Sequence, residues 1–298
     1  MRALVTGGRG FVGKWLTEHL RAQGDVVVAI DHEVEITDAG AVRQAVADSA
    51  PEVIYHLAAL THVGRSWSGP GEAFKVNALG TLNVLEAARA CAKVPRVLIT
   101  SSAEVYGSVT EEDLPVSETA TLAPVTPYGA SKVAAEFLAI QAHLGHGLPV
   151  IRVRPFNHVG PGQASEFVVS SLASHIVEAR RKGTKQVPVG NLAARRDLTD
   201  VRDVVRAYRL LVEEATPGEV YNVCSGRDVS IEEVARRLLE LADVDLELVV
   251  DPALARPVDV PVLRGDPGKL HAATGWEPEI DLQKTLLDVL EHWSEKAA

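Results

Sequence analysis

The 298-residue chain is 46% hydrophobic and 23% charged, enough to bury a large core in one large or two closely joined domains. Its 40 acidic and 30 basic residues leave a formal charge of −10, which argues against a main surface that tracks nucleic acid. Cys91 and Cys224 are too few for a disulfide framework, the first residues carry no secretory pattern, and no apolar run is long enough to span a bilayer. These features predict a cytoplasmic protein with neither a membrane nor a nucleic-acid partner. A few arginines in a cleft can still serve an anionic small substrate.

Ala3, Leu4 and Val5 read as a buried strand. Residues 11–23 read as a helix, with Val12, Trp15, Leu16 and Leu20 at helical spacing. Further strands are expected at 26–30, 53–58, 97–100 and 150–153, with long helices at 70–92 and 128–144. Continuous apolar strands between amphipathic helices predict an α/β fold with a doubly wound parallel sheet, of the Rossmann type. Beyond Arg154 the regularity fades, and Pro155, Gly160, Pro161, Gly162 and Gly183 mark loops. Helical patterns at 165–181, 201–215, 230–242 and 281–294 alternate there with short strands such as 219–223. The expected division is a dinucleotide-binding domain over 1–160 and a smaller mixed α/β substrate-binding lobe over 161–298. The chain is expected to return to the first lobe near 200–225.

Between the first strand and the first helix lie Gly7, Arg9, Gly10, Phe11, Val12 and Gly13. Glycines at 7, 10 and 13 permit a tight turn, close approach to a pyrophosphate and close helix–strand packing. The helix N-terminus then offers N–H groups and positive dipole to the phosphates. A glycine triplet alone is weak evidence; at a strand-to-helix junction, with Asp31 ending the second strand, it is strong. The Asp31 carboxylate suits ribose hydroxyls and repels a 2′-phosphate, whereas the Arg9 guanidinium would attract one. NAD(H) is therefore expected as the preferred cofactor, with NADP(H) as the alternative. Glu35 and Ile36 are placed to flank the adenine; a solvated loop carboxylate is the plainer reading of Glu35.

Tyr128 and Lys132 stand four apart at a helix start, so phenol and ammonium share a face. A nearby ammonium is expected to lower the phenol's pKa. Ser102 follows the strand at 97–100, and its hydroxyl suits a substrate carbonyl or alkoxide oxygen. A helix-start aromatic and a turn serine are the plainer readings of these residues. No metal site is expected.

Further motifs accompany these: His56-Leu57-Ala58-Ala59, Val76-Asn77, Ser101-Ser102-Ala103-Glu104-Val105-Tyr106-Gly107, Arg154-Pro155-Phe156-Asn157 and Arg196-Asp197-Leu198-Thr199-Asp200-Val201. With these motifs the chain resembles the extended short-chain dehydrogenase/reductase family from end to end. The resemblance implies a Ser102–Tyr128–Lys132 set, hydride transfer at a sugar carbon, and Leu57, Ala58, Ala59 and Asn77 against a nicotinamide nucleotide. It also implies a homodimer joined through the helices at 70–92 and 128–144.

Three segments are similar to the GDP-hexose branch of that family: 154–163, Gly190-Asn191-Leu192 running into Arg195-Arg196-Asp197, and Arg256-Pro257-Val258-Asp259-Val260 before Leu263-Arg264-Gly265-Asp266. Arg196 and Arg256 are candidates to grip a diphosphate in bidentate fashion, surface ion pairs being the plainer reading. Asn157 offers amide hydrogen bonds to sugar or phosphate. Asp259 stands where the family has a glutamate directed at a ribose. His158 reads as a packed histidine. Glu104 occupies the position of the base in the family's 4,6-dehydratases, but Ala103 replaces their usual polar neighbour. The long basic insertion after the second strand of GDP-mannose dehydratases is also missing. The resemblance therefore implies reduction of the 4-keto group of a GDP-4-keto-6-deoxyhexose, a nucleoside-diphosphate hexose. A UDP-hexose 4-epimerase and a GDP-mannose 4,6-dehydratase are the alternatives. A silent NAD(P)-binding regulatory protein is set against the presence of both Tyr128 and Lys132.

Overall fold

The computed structural model describes residues 1–254 and 260–297. Twelve strands are seen among them: β1 (Arg2–Thr6), β2 (Val26–Ile30), β3 (Val53–His56), β4 (Arg96–Thr100), β5 (Val150–Pro155), β6 (Asn157–Val159), β7 (Gln186–Val189), β8 (Arg195–Asp200), β9 (Val220–Val223), β10 (Asp228–Ser230), β11 (Glu247–Val250) and β12 (Val262–Leu263). The helices are α1 (Phe11–Ala22), α2 (Ala39–Ser49), α3 (Val63–Ser68), α4 (Pro70–Phe74), α5 (Gly80–Arg89), α6 (Pro127–His146), α7 (Val168–Lys182), α8 (Val201–Glu214), α9 (Ile231–Leu241), α10 (Gly268–Thr274) and α11 (Leu282–Ala297).

Six strands form a parallel sheet in the order β2-β1-β3-β4-β5-β9. The order reverses direction at β1 and β3, where a crevice opens beyond the carboxyl ends of the strands, the usual ligand position in such sheets. Leu16 and Leu20 of α1 pack with Val204, Tyr208 and Leu211 of α8 on one side of the sheet. Val42 and Val46 of α2, Val84 and Leu85 of α5 and Ala139 of α6 cover the other. Covering both faces accounts for the uninterrupted apolar character of β3 and β4.

A second sheet centres on β8, which pairs with β10 antiparallel and with β12 and β6 in parallel; β7 and β11 form a separate pair. Helices α7, α9 and α11 pack together beside it, with Ile176, Val234, Leu238, Leu286 and Val289 at their centre.

Several elements differ from expectation. The helix expected at 70–92 is divided into α4, a π-helical turn at Lys75–Leu79 and α5. Asn77 lies in that turn, buried, and its amide bonds the backbone of Leu60 in both directions, Leu60 N–H at 2.8 Å and Leu60 O at 3.1 Å. A single π turn inside a helix commonly marks a functional position. Strand β3 ends at His56, earlier than the expected 58, and α3 and α10 have no periodicity long enough to announce them. Helix α6 starts where its sequence says it should: Thr126 caps it through the Gly129 N–H at 3.0 Å, Pro127 follows at the first position, and Gly147 ends it with φ +68°.

Candidate active site

The β1–α1 turn has glycines at its tightest points because side chains do not fit there. Gly7 has φ +69°, and a Cβ there would stand 2.9 Å from Ala58 N; a Cβ on Gly13 would stand 2.1 Å from Gly7 O. Helix α1 begins at Gly10 without a side-chain cap, so its first N–H groups face the crevice. Asp31, at the end of β2, accepts the Arg9 N–H at 2.8 Å and the His32 N–H at 3.0 Å. The Arg9 guanidinium turns outward to Glu33 at 2.7 Å. Glu35 accepts both the amide and the hydroxyl of Thr37, at 3.1 and 2.9 Å, so its carboxylate also orders its own turn.

Behind this loop lies His56, buried between Thr6 Oγ1 (2.8 Å from Nδ1) and Thr81 Oγ1 (3.0 Å from Nε2). Thr81 donates its proton to Asn77 O at 2.6 Å, so its oxygen accepts from His56 Nε2–H, and His56 Nδ1 accepts from Thr6. Thr6 Oγ1 in turn accepts the Ala58 N–H at 3.2 Å. Burial, with Lys132 nearby, pushes the His56 pKa down to about 3, so the ring is neutral. This chain of bonds ties β1, the 57–59 segment and α5 together, a role for His56 that its place in a local motif does not announce.

Tyr128 and Lys132 occupy the opening turns of α6, both buried. Lys132 Nζ donates to Thr100 O at 2.8 Å and stands 5.9 Å from the centre of the Tyr128 ring. Burial lowers the Lys132 pKa to about 8, with Glu136 opposing the fall. The Tyr128 phenol is pushed up by burial, against a Ser102 hydrogen bond, and the Glu104 carboxylate adds to the rise. The expected lowering by the ammonium is thus not seen: burial governs the phenol, and Lys132 is turned to Thr100. The phenol is held protonated, the form an acid needs. Ser102 ends the stretch after β4, and its Oγ accepts the Glu104 N–H at 3.2 Å.

On the opposite wall, Asn157 is exposed at the start of β6, and buried Arg196 on β8 donates from Nη1 to Arg195 O at 2.8 Å. His158 stacks on Phe11 with ring centres 6.1 Å apart and planes 11° from parallel, and burial lowers its pKa. The packed reading of His158 fits this contact, which joins the substrate-side loop to the start of α1.

Tyr128, Lys132, Ser102, Glu104, Asn157 and Arg196 all line one cleft of about 1170 Å³. Gly7, Gly10, Phe11, Val12, Gly13, Asp31, Glu35, Ile36, Leu57, Ala58 and Ala59 line it too. Two expected cofactor residues stand outside the lining. Arg9 points to Glu33, and Asn77 sits behind the wall, where it also donates to Ser131 Oγ at 2.9 Å. Arg256 and Asp259 lie outside the described residues. Thr100 Oγ1, Ser101 Oγ and Tyr208 Oη are buried in residues of the same lining without a hydrogen-bond partner. The close-packed glycine turn and the uncapped start of α1 are what fit a phosphate-bearing dinucleotide here.

Comparison with known proteins agrees with this geometry. The family model for GDP-mannose 4,6 dehydratase matches residues 4–289. GDP-6-deoxy-D-mannose reductase of Pseudomonas aeruginosa is 37% identical over 298 residues, covering 99% of this chain and 98% of the relative. The structure of RMD from Pseudomonas aeruginosa complexed with NADPH superposes with a TM-score of 0.92 at 36% identity, covering 99% of this chain and all of that one. UDP-glucose 4-epimerase of Thermus thermophilus, solved in complex with NAD, gives a TM-score of 0.87 at 30% identity, with 98% and 99% coverage. The glycine loop, the Tyr128–Lys132 pair and a match across nearly the whole length place this chain in the GDP-mannose 4,6 dehydratase family, within the extended short-chain dehydrogenases/reductases.

Proposed function

We propose that the chain reduces the 4-keto group of a GDP-4-keto-6-deoxyhexose. The observation that carries this is the full-length similarity to a GDP-6-deoxy-D-mannose reductase, joined to a cleft holding Ser102, Tyr128 and Lys132 together. A reduced nicotinamide nucleotide supplies hydride in this chemistry. Tyr128 gives its phenolic proton to the C4 oxygen, and Ser102 steadies that oxygen as charge develops. Lys132 is read as the positive charge near the phenol and as a donor to the nicotinamide ribose, a role the family resemblance implies. Arg196 is read as a diphosphate ligand and Asn157 as a donor to sugar or phosphate.

The lobe division at residue 160, with return near 200–225, is our reading of how the cleft's two walls are supplied. We read NAD(H) as preferred, because Asp31, Glu33 and Glu35 crowd the adenosine-ribose end with negative charge and Glu33 engages Arg9. Phe74, Leu79, Phe137 and Leu144 are exposed on α4, the π turn and α6, which suits a homodimer through that face. Among the described residues, no helix is long and apolar enough to cross a membrane, and we assign the chain to the cytoplasm.

Purified protein incubated with GDP-4-keto-6-deoxymannose and NADH or NADPH should oxidise the cofactor and release a GDP-6-deoxyhexose. Sugar analysis of the product separates the C4 epimers 6-deoxymannose and 6-deoxytalose. Absence of cofactor oxidation there, with GDP-mannose consumed in a parallel incubation with NAD or NADP, would refute the reductase reading and return Glu104 to the role of dehydratase base.

A further inference from the structure

The first turn of a helix leaves four N–H groups without partners inside the helix. In α6, Thr126 takes the Gly129 N–H. The Tyr128 N–H points at another element altogether: Ser66 Oγ of α3 accepts it at 3.2 Å. Ser66 is buried, 6% exposed, and its hydroxyl proton goes to Val63 O at 2.7 Å, which aims the oxygen's lone pairs toward α6. The turn that presents Ser66 is itself ordered by His62, whose Nδ1 accepts the Arg65 N–H at 2.9 Å.

The same short helix reaches across the cleft. Arg65 pairs with Glu166 at 3.1 Å, and the His62 ring meets the Phe167 ring at 6.3 Å. Glu166 and Phe167 come after β6, the strand that carries Asn157 and His158, and they line the cleft together with His62, Val63 and Gly64. Helix α3 is therefore a strap, with one side on the substrate loop and the other on the amide of Tyr128.

We propose that Ser66 is a positioning residue for Tyr128, and that the Arg65–Glu166 contact ties this positioning to the substrate-side loop. The proposal rests on Tyr128 being the proton donor. Proton transfer demands close placement of donor and acceptor, and misplacement by about 1 Å costs about 100-fold in rate. Ser66 touches no reacting atom; it fixes the backbone from which the phenol hangs.

The experiment compares Ser66→Ala, Ser66→Thr, Arg65→Met and Tyr128→Phe in the full chain. Active sites are counted by NADH fluorescence titration. Ser66→Ala should lower kcat per site by about tenfold or more, with little change in NADH affinity or in KM for the sugar nucleotide. Ser66→Thr, which keeps the hydroxyl, should restore most of the rate. Independently of activity, hydrogen exchange at the Tyr128 amide should quicken in Ser66→Ala and not in Ser66→Thr. Arg65→Met should raise KM for the sugar nucleotide several-fold while leaving NADH affinity intact. A serine that serves packing alone would lower the unfolding temperature and leave kcat per site and Tyr128 exchange unchanged; that result overturns the proposal. Unchanged KM in Arg65→Met removes the tie to the loop. Full activity in Tyr128→Phe would instead sink the assignment of Tyr128, and the exchange measurement would still report on Ser66.

Discussion

Glu136 holds Arg154 through both oxygens, with Nε and Nη2 each donating at 2.8 Å, and both side chains lie out of solvent. Glu136 comes one turn after Lys132 on α6, and Arg154 is on β5, so the pair fastens the catalytic helix to the sheet. Arg154 also donates to Tyr106 Oη at 3.0 Å, and Tyr106 donates to Asn222 Oδ1 at 2.7 Å. Replacing Glu136 with Gln leaves a buried guanidinium without its counter-charge. The expected cost is about 3–5 kcal/mol, as for other broken buried pairs, read from denaturant midpoints. The same carboxylate supports the Lys132 charge, so the pKa of about 8 should fall further and the alkaline limb of kcat/KM should move to lower pH. An unmoved limb would mean that Lys132 does not govern it.

Tyr128→Phe keeps the ring in its packed place and removes the proton. We expect kcat to fall by about 10²–10⁴-fold, the range for losing a positioned acid, with KM nearly constant. Ser102→Ala should cost less, because water can replace one hydroxyl at a site on the cleft surface. Stopped-flow single turnovers would assign both losses to the chemical step.

His56 makes stability sensitive to acid. Its folded pKa, about 3, lies below the ordinary 6.5, so the unfolded chain binds a proton that the folded chain refuses. Its contribution is present above 6.5 and is lost progressively as pH falls toward 3. His56→Gln should be less stable at neutral pH yet lose less on acidification. Urea unfolding from neutral pH to about pH 5 checks this, and parallel pH curves for the two proteins would count against it.

Cofactor choice should follow the acidic rim. NADH should have the higher kcat/KM, and Asp31→Ala should narrow the gap. Glu33→Gln frees Arg9 and should also improve NADPH, by a smaller factor because both side chains are exposed. Equal or better use of NADPH by the unaltered enzyme would shift the weight to Arg9.

The strands of the main sheet were legible because each is a local apolar run, and the glycine loop because its spacing encodes a backbone need. Tyr128 and Lys132 were legible for the same reason: their relation spans one helical turn. What escaped is carried by pairs far apart in sequence. Ser66 and Tyr128 share no local pattern, nor do Glu136 and Arg154, and Arg154 stood only inside a motif. The direction of the Tyr128 shift was missed because desolvation depends on what surrounds the ring, which spacing does not encode. The Arg9–Glu33 pair also carries no periodic signal. The π turn at Asn77 stands in place of an unbroken helix, and the Leu60 backbone that Asn77 bonds lies in a preceding loop, out of reach of helical periodicity.

Strand β9 pairs with β5 at the far edge of the sheet, yet it is made of residues 220–223. During synthesis, a nascent chain that has emerged only through β5 presents that strand as an open edge. Tyr106 and the Val116 carbonyl then lack Asn222, which bonds each of them at 2.7 and 2.9 Å in the finished protein. Unpaired edges invite pairing with other chains. The nucleotide-binding half therefore cannot be completed on the ribosome before the segment after α8 arrives. Fragments cut near residue 160 should aggregate rather than fold, and a slow stretch of translation beyond β5 would lengthen exposure of that edge.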